Sequence, residues 1–169
     1  MKRDTKILLI IVVVAFLLVT AMPKVEDIYR TSVAKKVIGK WRTLADQYAS
    51  YWKVDPQIVL AIICQESGGN PDSVNPSDPS RGLMQITPGA LADFNQANGR
   101  GYTFDELFEP YKNVEVGTWY YSSRFAKTLI QKNALAAYNA GLGNIKAGMS
   151  YADKVETYLT YIKANYGSV

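Results

Sequence analysis

The sequence predicts a mostly helical domain with one loop-rich lobe, preceded by a single apolar segment. Three observations carry this expectation. Apolar residues recur at helical spacing through most of residues 41–165. Pro, Gly, Asn and Asp punctuate that pattern where helices start and stop. The 169 residues hold one Cys and no His, so no intramolecular disulfide, CxxC clip or His-ligated zinc site braces the fold. It must rest on its core, and a hydrophobic fraction of 48% is enough to build one.

Residues 7–22 are uncharged and almost wholly apolar, and Lys2, Arg3 and Lys6 precede them. As a helix they reach about 24 Å, a little short of a hydrocarbon layer of about 30 Å. Snorkelling by Lys6 and Lys24 covers the difference. The basic flank places the amino terminus inside and everything after Pro23 outside. The alternative is a signal peptide cleaved after Val19-Thr20-Ala21. Residues 1–23 are therefore read as a membrane anchor or signal segment, residues 24–40 as a stalk, and residues 41–169 as the domain. Residues 23–53 hold seven Lys/Arg against Glu26, Asp27 and Asp46. That basic stretch suits a solvated helix face or a weak contact with anionic lipid. No Arg-rich aromatic platform points to nucleic acid.

Within the domain, Trp41, Leu44, Ala45, Tyr48 and Trp52 form one helical stripe. Asp55-Pro56 starts the next helix as N-cap and first residue, and Ser67-Gly68-Gly69-Asn70-Pro71 stops it after Glu66. Residues 71–81 read as loop or a small irregular sheet, and 82–86 as a short extended apolar piece. A helix is expected over 88–98, broken by Gly99 and Gly101. Asn113 is expected to cap a long helix from 114 to about 132. A further helix over 134–139 ends at Gly141 and Gly143, and the last runs from about 151 to 165.

Without His, Ser-His-Asp and Cys-His catalysis are excluded, and acid–base chemistry falls to carboxylates, tyrosines or lysines. No metal or cofactor is expected. Glu66 lies three, four and seven residues after Ile63, Ile62 and Val59, so it continues the apolar face of its helix. Burial there, and the negative end of the helix dipole, both raise a carboxyl pKa and suit a general acid. The competing reading lets Glu66 swing to the surface at the helix end. Cys64 reads as buried and inert.

Four ordered motifs extend the picture. They are 65–71 (QESGGNP), 80–88 (SRGLMQITP), 113–120 (NVEVGTWY) and 136–141 (AAYNAG), followed by a late Tyr151. Together they resemble the SLT-type lytic transglycosylases, lysozyme-like proteins related to goose-type lysozyme. The resemblance covers about residues 41–165 and implies a mainly α, lysozyme-like fold with at most a small irregular sheet. It implies that Glu66 is the sole catalytic carboxylate. Glu66 would protonate the glycosidic oxygen between N-acetylmuramic acid and N-acetylglucosamine in peptidoglycan, then act as base while a 1,6-anhydro ring closes. It also carries over Gln85, Met84, Tyr120, Tyr138, Asn139 and Tyr151 as substrate contacts. Met84 and Tyr120 equally suit the core, and Tyr138 and Asn139 suit helix-end packing. Asn75 stands where many members have Ser, which puts a supporting hydrogen bond to the carboxylate in question.

Two other functions stay open at this level. A hydrolytic muramidase needs a second carboxylate to activate water, and Asp72 and Asp78 follow Glu66 in the loop segment. A non-catalytic peptidoglycan-binding scaffold would use the basic stalk and need no acid.

Overall fold

The computed structural model describes residues 10–14 and 25–167. Residues 10–14 are helical and exposed. The remainder of the expected anchor or signal segment lies outside the described residues. Among the described residues no helix is long and apolar enough to cross a membrane. The chain divides into two compact units, Met1–Arg30 and Thr31–Val169. The second unit contains the whole of the expected domain.

Helix α1, Val25–Trp52, runs unbroken through residue 40 into the domain. Ala34, Val37 and Ile38 are buried in the same core as Trp41, Ala45 and Ala49. Helix α2, Pro56–Ser67, starts as the sequence indicates. The Asp55 carboxylate accepts from the Gln57 backbone N–H, Pro56 takes the first position, and Gly68 closes the helix in the left-handed region. Val59 through Ile63 are all fully buried. A helix apolar on every side belongs at the centre of a core, and α2 packs mainly on α6, Met149–Asn165, through its Val155, Leu159 and Ile162 stripe.

After α2 the chain makes the small sheet, β1 (Val74–Asn75) antiparallel to β2 (Ser80–Arg81), with Val74 opposite Arg81. Residues 82–86 are not extended. They form a tight turn closed by reciprocal backbone hydrogen bonds between Arg81 and Ile86, at 3.1 and 3.0 Å. Gly82 makes it possible: its φ is +78°, and a Cβ there would lie 2.1 Å from the Asn113 amide nitrogen. Helix α3, Pro88–Asn98, is capped by the Thr87 hydroxyl and ends at Gly99. A 3-10 turn, Asp105–Phe108, leads to α4, Pro110–Thr128.

Both ends of α4 depart from expectation. Asn113 is not a cap; α4 begins three residues earlier at Pro110, and Asn113 is fully buried inside it. Its amide ties the lobe instead, accepting from Met84 N–H at 2.8 Å and donating to Arg81 O at 2.7 Å and Leu107 O at 2.9 Å. Helix α4 also stops at Thr128, because Leu129 takes a left-handed conformation (φ 57°). The chain then folds back as α5, Gln131–Ala140, which packs on both α4 and α6. A short 3-10 turn, Leu142–Asn144, joins it to α6.

Candidate active site

The carboxyl end of α2 opens on a cleft of about 360 Å³. Glu66 lines it from one wall, the β1–β2 hairpin supplies Asn75, Asp78 and Ser80, and α5 supplies Tyr138 and Asn139. Three contacts fix the end of α2. The Ser67 hydroxyl donates to Leu83 O at 2.8 Å, the Trp41 indole donates to Gly69 O at 3.1 Å, and the Lys36 ammonium donates to Gly68 O at 3.2 Å. A Cβ at Gly69 would meet Val37, so that glycine serves packing against α1.

Glu66 stays on the apolar side of its helix. Loss of hydration pushes its pKa from 4.5 up to about 7. Tyr151, from α6, works the other way by donating its hydroxyl to Oε1 at 2.6 Å, which favours the ionised form. Burial dominates. At neutral pH both protonation states are populated, so the group can give a proton and take one back. Tyr151 and Tyr138 are themselves buried, and burial followed by the nearby Glu66 charge holds both phenols well above their usual range. They are donors at any working pH. Cys64, two residues before Glu66, is buried and its thiol is pushed up to about 12, which leaves it unreactive.

From Glu66 a continuous row of rings leads away. The Tyr151 ring stacks on Tyr138, with centroids 6.4 Å apart and planes 10° from parallel. Tyr138 meets Tyr120 of α4 edge-on at 5.4 Å, and the Arg124 guanidinium lies 3.9 Å above Tyr120. A second hollow of about 70 Å³ adjoins the first, sharing Gln85, Thr87, Tyr138 and Asn139 with it and adding Tyr120.

The six expected substrate contacts do not stand alike. Asn139 is exposed on the cleft, and Tyr120 lines its extension. Tyr138 borders the cleft as a nearly buried ring whose hydroxyl is engaged with Met84 O at 2.8 Å. Tyr151, expected against substrate, is instead buried behind Glu66; it does not line the cleft and reaches it only through its bond to that carboxyl. Gln85 faces the cleft, but its amide already braces the lobe. It accepts from the Ser80 hydroxyl at 2.8 Å and donates to Ser73 O and Gly82 O. Met84, expected against substrate, is fully buried: its side chain fills the space above Gly117, where any Cβ would approach its sulfur to 2.5 Å. Only its backbone serves the site, as acceptor for Tyr138.

Asp78 is an exposed cleft-lining acid, whereas Asp72 is exposed and does not line the cleft. Asn75 lines the cleft, with its side-chain oxygen turned to the Ser77 N–H at 3.1 Å. The bracing amide of Asn113 was missed because its partners lie in the turn at 81–84, remote in sequence. Among the described residues no three His, Cys, Asp or Glu gather as a metal site.

Residues 43–160 match the family model described as the transglycosylase SLT domain. The chain is 34% identical over 97 residues to an endo-type membrane-bound lytic murein transglycosylase A of Klebsiella pneumoniae, an alignment covering 56% of this chain and 47% of that protein. It thus spans about half the length of the curated relatives it matches. Two crystal structures share its fold. An inactive mutant of the lytic transglycosylase Slt from Pseudomonas aeruginosa aligns with a TM-score of 0.68 at 22% identity, over 75% of this chain and 25% of that one. The 70 kDa soluble lytic transglycosylase from Escherichia coli gives 0.68 at 24% identity, over 75% and 24%.

Proposed function

Because the chain belongs to the transglycosylase SLT domain family, we propose that it is a peptidoglycan lytic transglycosylase acting through Glu66. The observation that carries the reading is one partly buried carboxyl, its pKa raised to about 7, at the wall of a cleft of about 360 Å³.

In the proposed cycle, protonated Glu66 gives its proton to the glycosidic oxygen as the bond from C1 of the muramyl sugar breaks. The N-acetylglucosamine side leaves with a new hydroxyl. Glu66, now a carboxylate, takes the proton of the muramyl C6 hydroxyl while that oxygen closes on C1. A 1,6-anhydro ring forms, the carboxyl is again protonated, and no water is consumed. One acid that switches role suffices, where a glycosidase uses two. The Tyr151 hydrogen bond supports the carboxylate at the midpoint of the cycle. Tyr120 offers an aromatic surface suited to sugar rings, and Asn139 an amide suited to their hydroxyl or acetamido groups. The glycan strand is the proposed substrate. Residues 7–22 are the proposed membrane tether, with the domain on the extracytoplasmic side.

Digestion of purified sacculi by the full chain, followed by mass spectrometry, tests this. Muropeptide ends lighter by one water than their hydrolysed counterparts are the expected product; reducing ends alone would replace the lyase with a hydrolase. One observation favours that second reading: Asp78 lines the same cleft as Glu66. Turnover in heavy-oxygen water separates the two, since only hydrolysis incorporates the label. Unchanged products from Asp78→Asn would remove it.

A further inference from the structure

The row of rings that leaves Glu66 ends at a cation whose charge is poorly answered. Arg124 is nine-tenths buried, yet its Nε has no hydrogen-bond partner. Its ion pair, with Asp93 across the groove between α3 and α4, is long at 3.5 Å, and the Asp93 side chain is 59% exposed. Burying a guanidinium with a donor unsatisfied is costly; Nε itself is enclosed, and the part of the guanidinium that lines the groove is open to charge-assisted bonds from an anion.

The surroundings have the form of a ligand site. A hollow of about 550 Å³ lies over Arg124, walled by Asp93 and Gln96 of α3 and by Trp119, Ser123 and Lys127 of α4. Lys127 is exposed and has no ion-pair partner among the described residues. The hollow lies about one helical turn along from the smaller extension: Ala90 lines the extension, and Asp93 and Ala97, on the same face of α3, line the hollow. On α4, Tyr120 lines the extension and its ring carries the Arg124 guanidinium. Two cations against one acid leave the groove with positive charge beside an indole.

We propose that the α3–α4 groove is a subsite for a carboxylate-bearing peptide stem, with Arg124 and Lys127 as its cationic contacts and Trp119 as its apolar wall. The inference rests on the glycan-cleaving reading above. Muramyl sugars carry short peptides with free carboxylates, and a strand lying in the cleft and its extension, past Asn139 and Tyr120, presents one of those stems toward the neighbouring groove. The site then reads the peptide as well as the sugar.

Two measurements on the full chain test this. The first compares kcat/KM on glycan strands that keep their stems with kcat/KM on strands stripped by an amidase. Wild type favours the peptide-bearing strands. Arg124→Gln lowers that ratio about tenfold, and Lys127→Glu, at an exposed position with no packing role, lowers it about fivefold. The second is independent of catalysis: a synthetic stem tetrapeptide and its carboxamide are titrated into the protein. The acid binds, the amide binds at least about tenfold more weakly, and Lys127→Glu erases the difference. Equal binding of acid and amide overturns the subsite, as does an unchanged substrate ratio in Lys127→Glu. Selective acid binding by a protein that cleaves neither substrate removes the glycan-cleaving reading and leaves the anion subsite standing.

Discussion

The two walls of the cleft are held by different forces. The wall that bears Glu66 is the end of α2, a helix whose Val59–Ile63 run is fully buried against α6. Such burial is non-directional and spread over many contacts. The facing wall, the lobe of residues 71–87, joins the core through Leu83, Met84 and Ile86, but its shape is set by single polar groups: three hydrogen bonds to the Asn113 amide and three to the Gln85 amide. The apolar wall supplies a desolvated environment, which raises a pKa. The polar wall supplies shape, and it fails by losing one partner.

The sharpest division is between the walls and the chemistry. Glu66→Gln keeps both walls but cannot carry a proton, so turnover falls by about 10²–10⁴ while circular dichroism is unchanged. Next comes a matched pair, one substitution per wall. Asn113→Ala leaves Met84 N–H and Leu107 O without this partner, and Arg81 O with the Ile86 N–H alone, at a cost of about 3 kcal/mol. It loses most activity even where the helical signal is intact. Leu60→Ala costs about 2–5 kcal/mol through a cavity, lowers Tm, and retains near wild-type turnover well below the new Tm. If Asn113→Ala only lowered Tm, the walls would be alike.

A smaller effect reads the apolar wall through pH. The folded protein holds Glu66 neutral up to about 7, above its ordinary 4.5, so it binds more protons than the unfolded chain between those values. The stability this contributes is present at low pH and is lost as pH rises through that window, by roughly 1–3 kcal/mol. Urea melts at pH 5 and pH 8 measure it, and Glu66→Gln flattens the difference. The alkaline limb of kcat/KM falls in the same region, because the donor must be protonated. The smallest change is Tyr151→Phe. It removes the hydrogen bond that favours the carboxylate and moves that limb to higher pH, with stability altered by about 1 kcal/mol.

This contrast also explains what could be read from the sequence. Helix α2 was legible in both its start, Asp55-Pro56, and its apolar run, and Glu66 was legible because helical spacing alone puts it on that run's face. The lobe was not. A run of Leu83, Met84 and Ile86 reads as a short extended piece, and only Gly82 at positive φ, pinned against Asn113, makes it a turn. Asn113 itself follows Pro110, the true first residue of α4, and an Asn near a helix start looks like a cap whether or not its amide is needed elsewhere. The reciprocal demand on Gln85 and the burial of Met84 arise from the same tertiary ties. Tyr151 sits 85 positions from the carboxyl it contacts, so no local pattern reaches it.

That separation bears on when the protein becomes armed. Glu66 and its helix emerge from the ribosome early, but the phenol that steadies the carboxylate and the stripe that covers α2 belong to α6, the latest-made of the described helices. Until α6 docks, α2 lacks its main partner, the carboxyl faces water, and its acidity returns toward that of an ordinary glutamate. On the proposed role of Glu66, the order of synthesis is thereby an order of activation. A nascent chain, or one cut short before α6, is a disarmed one.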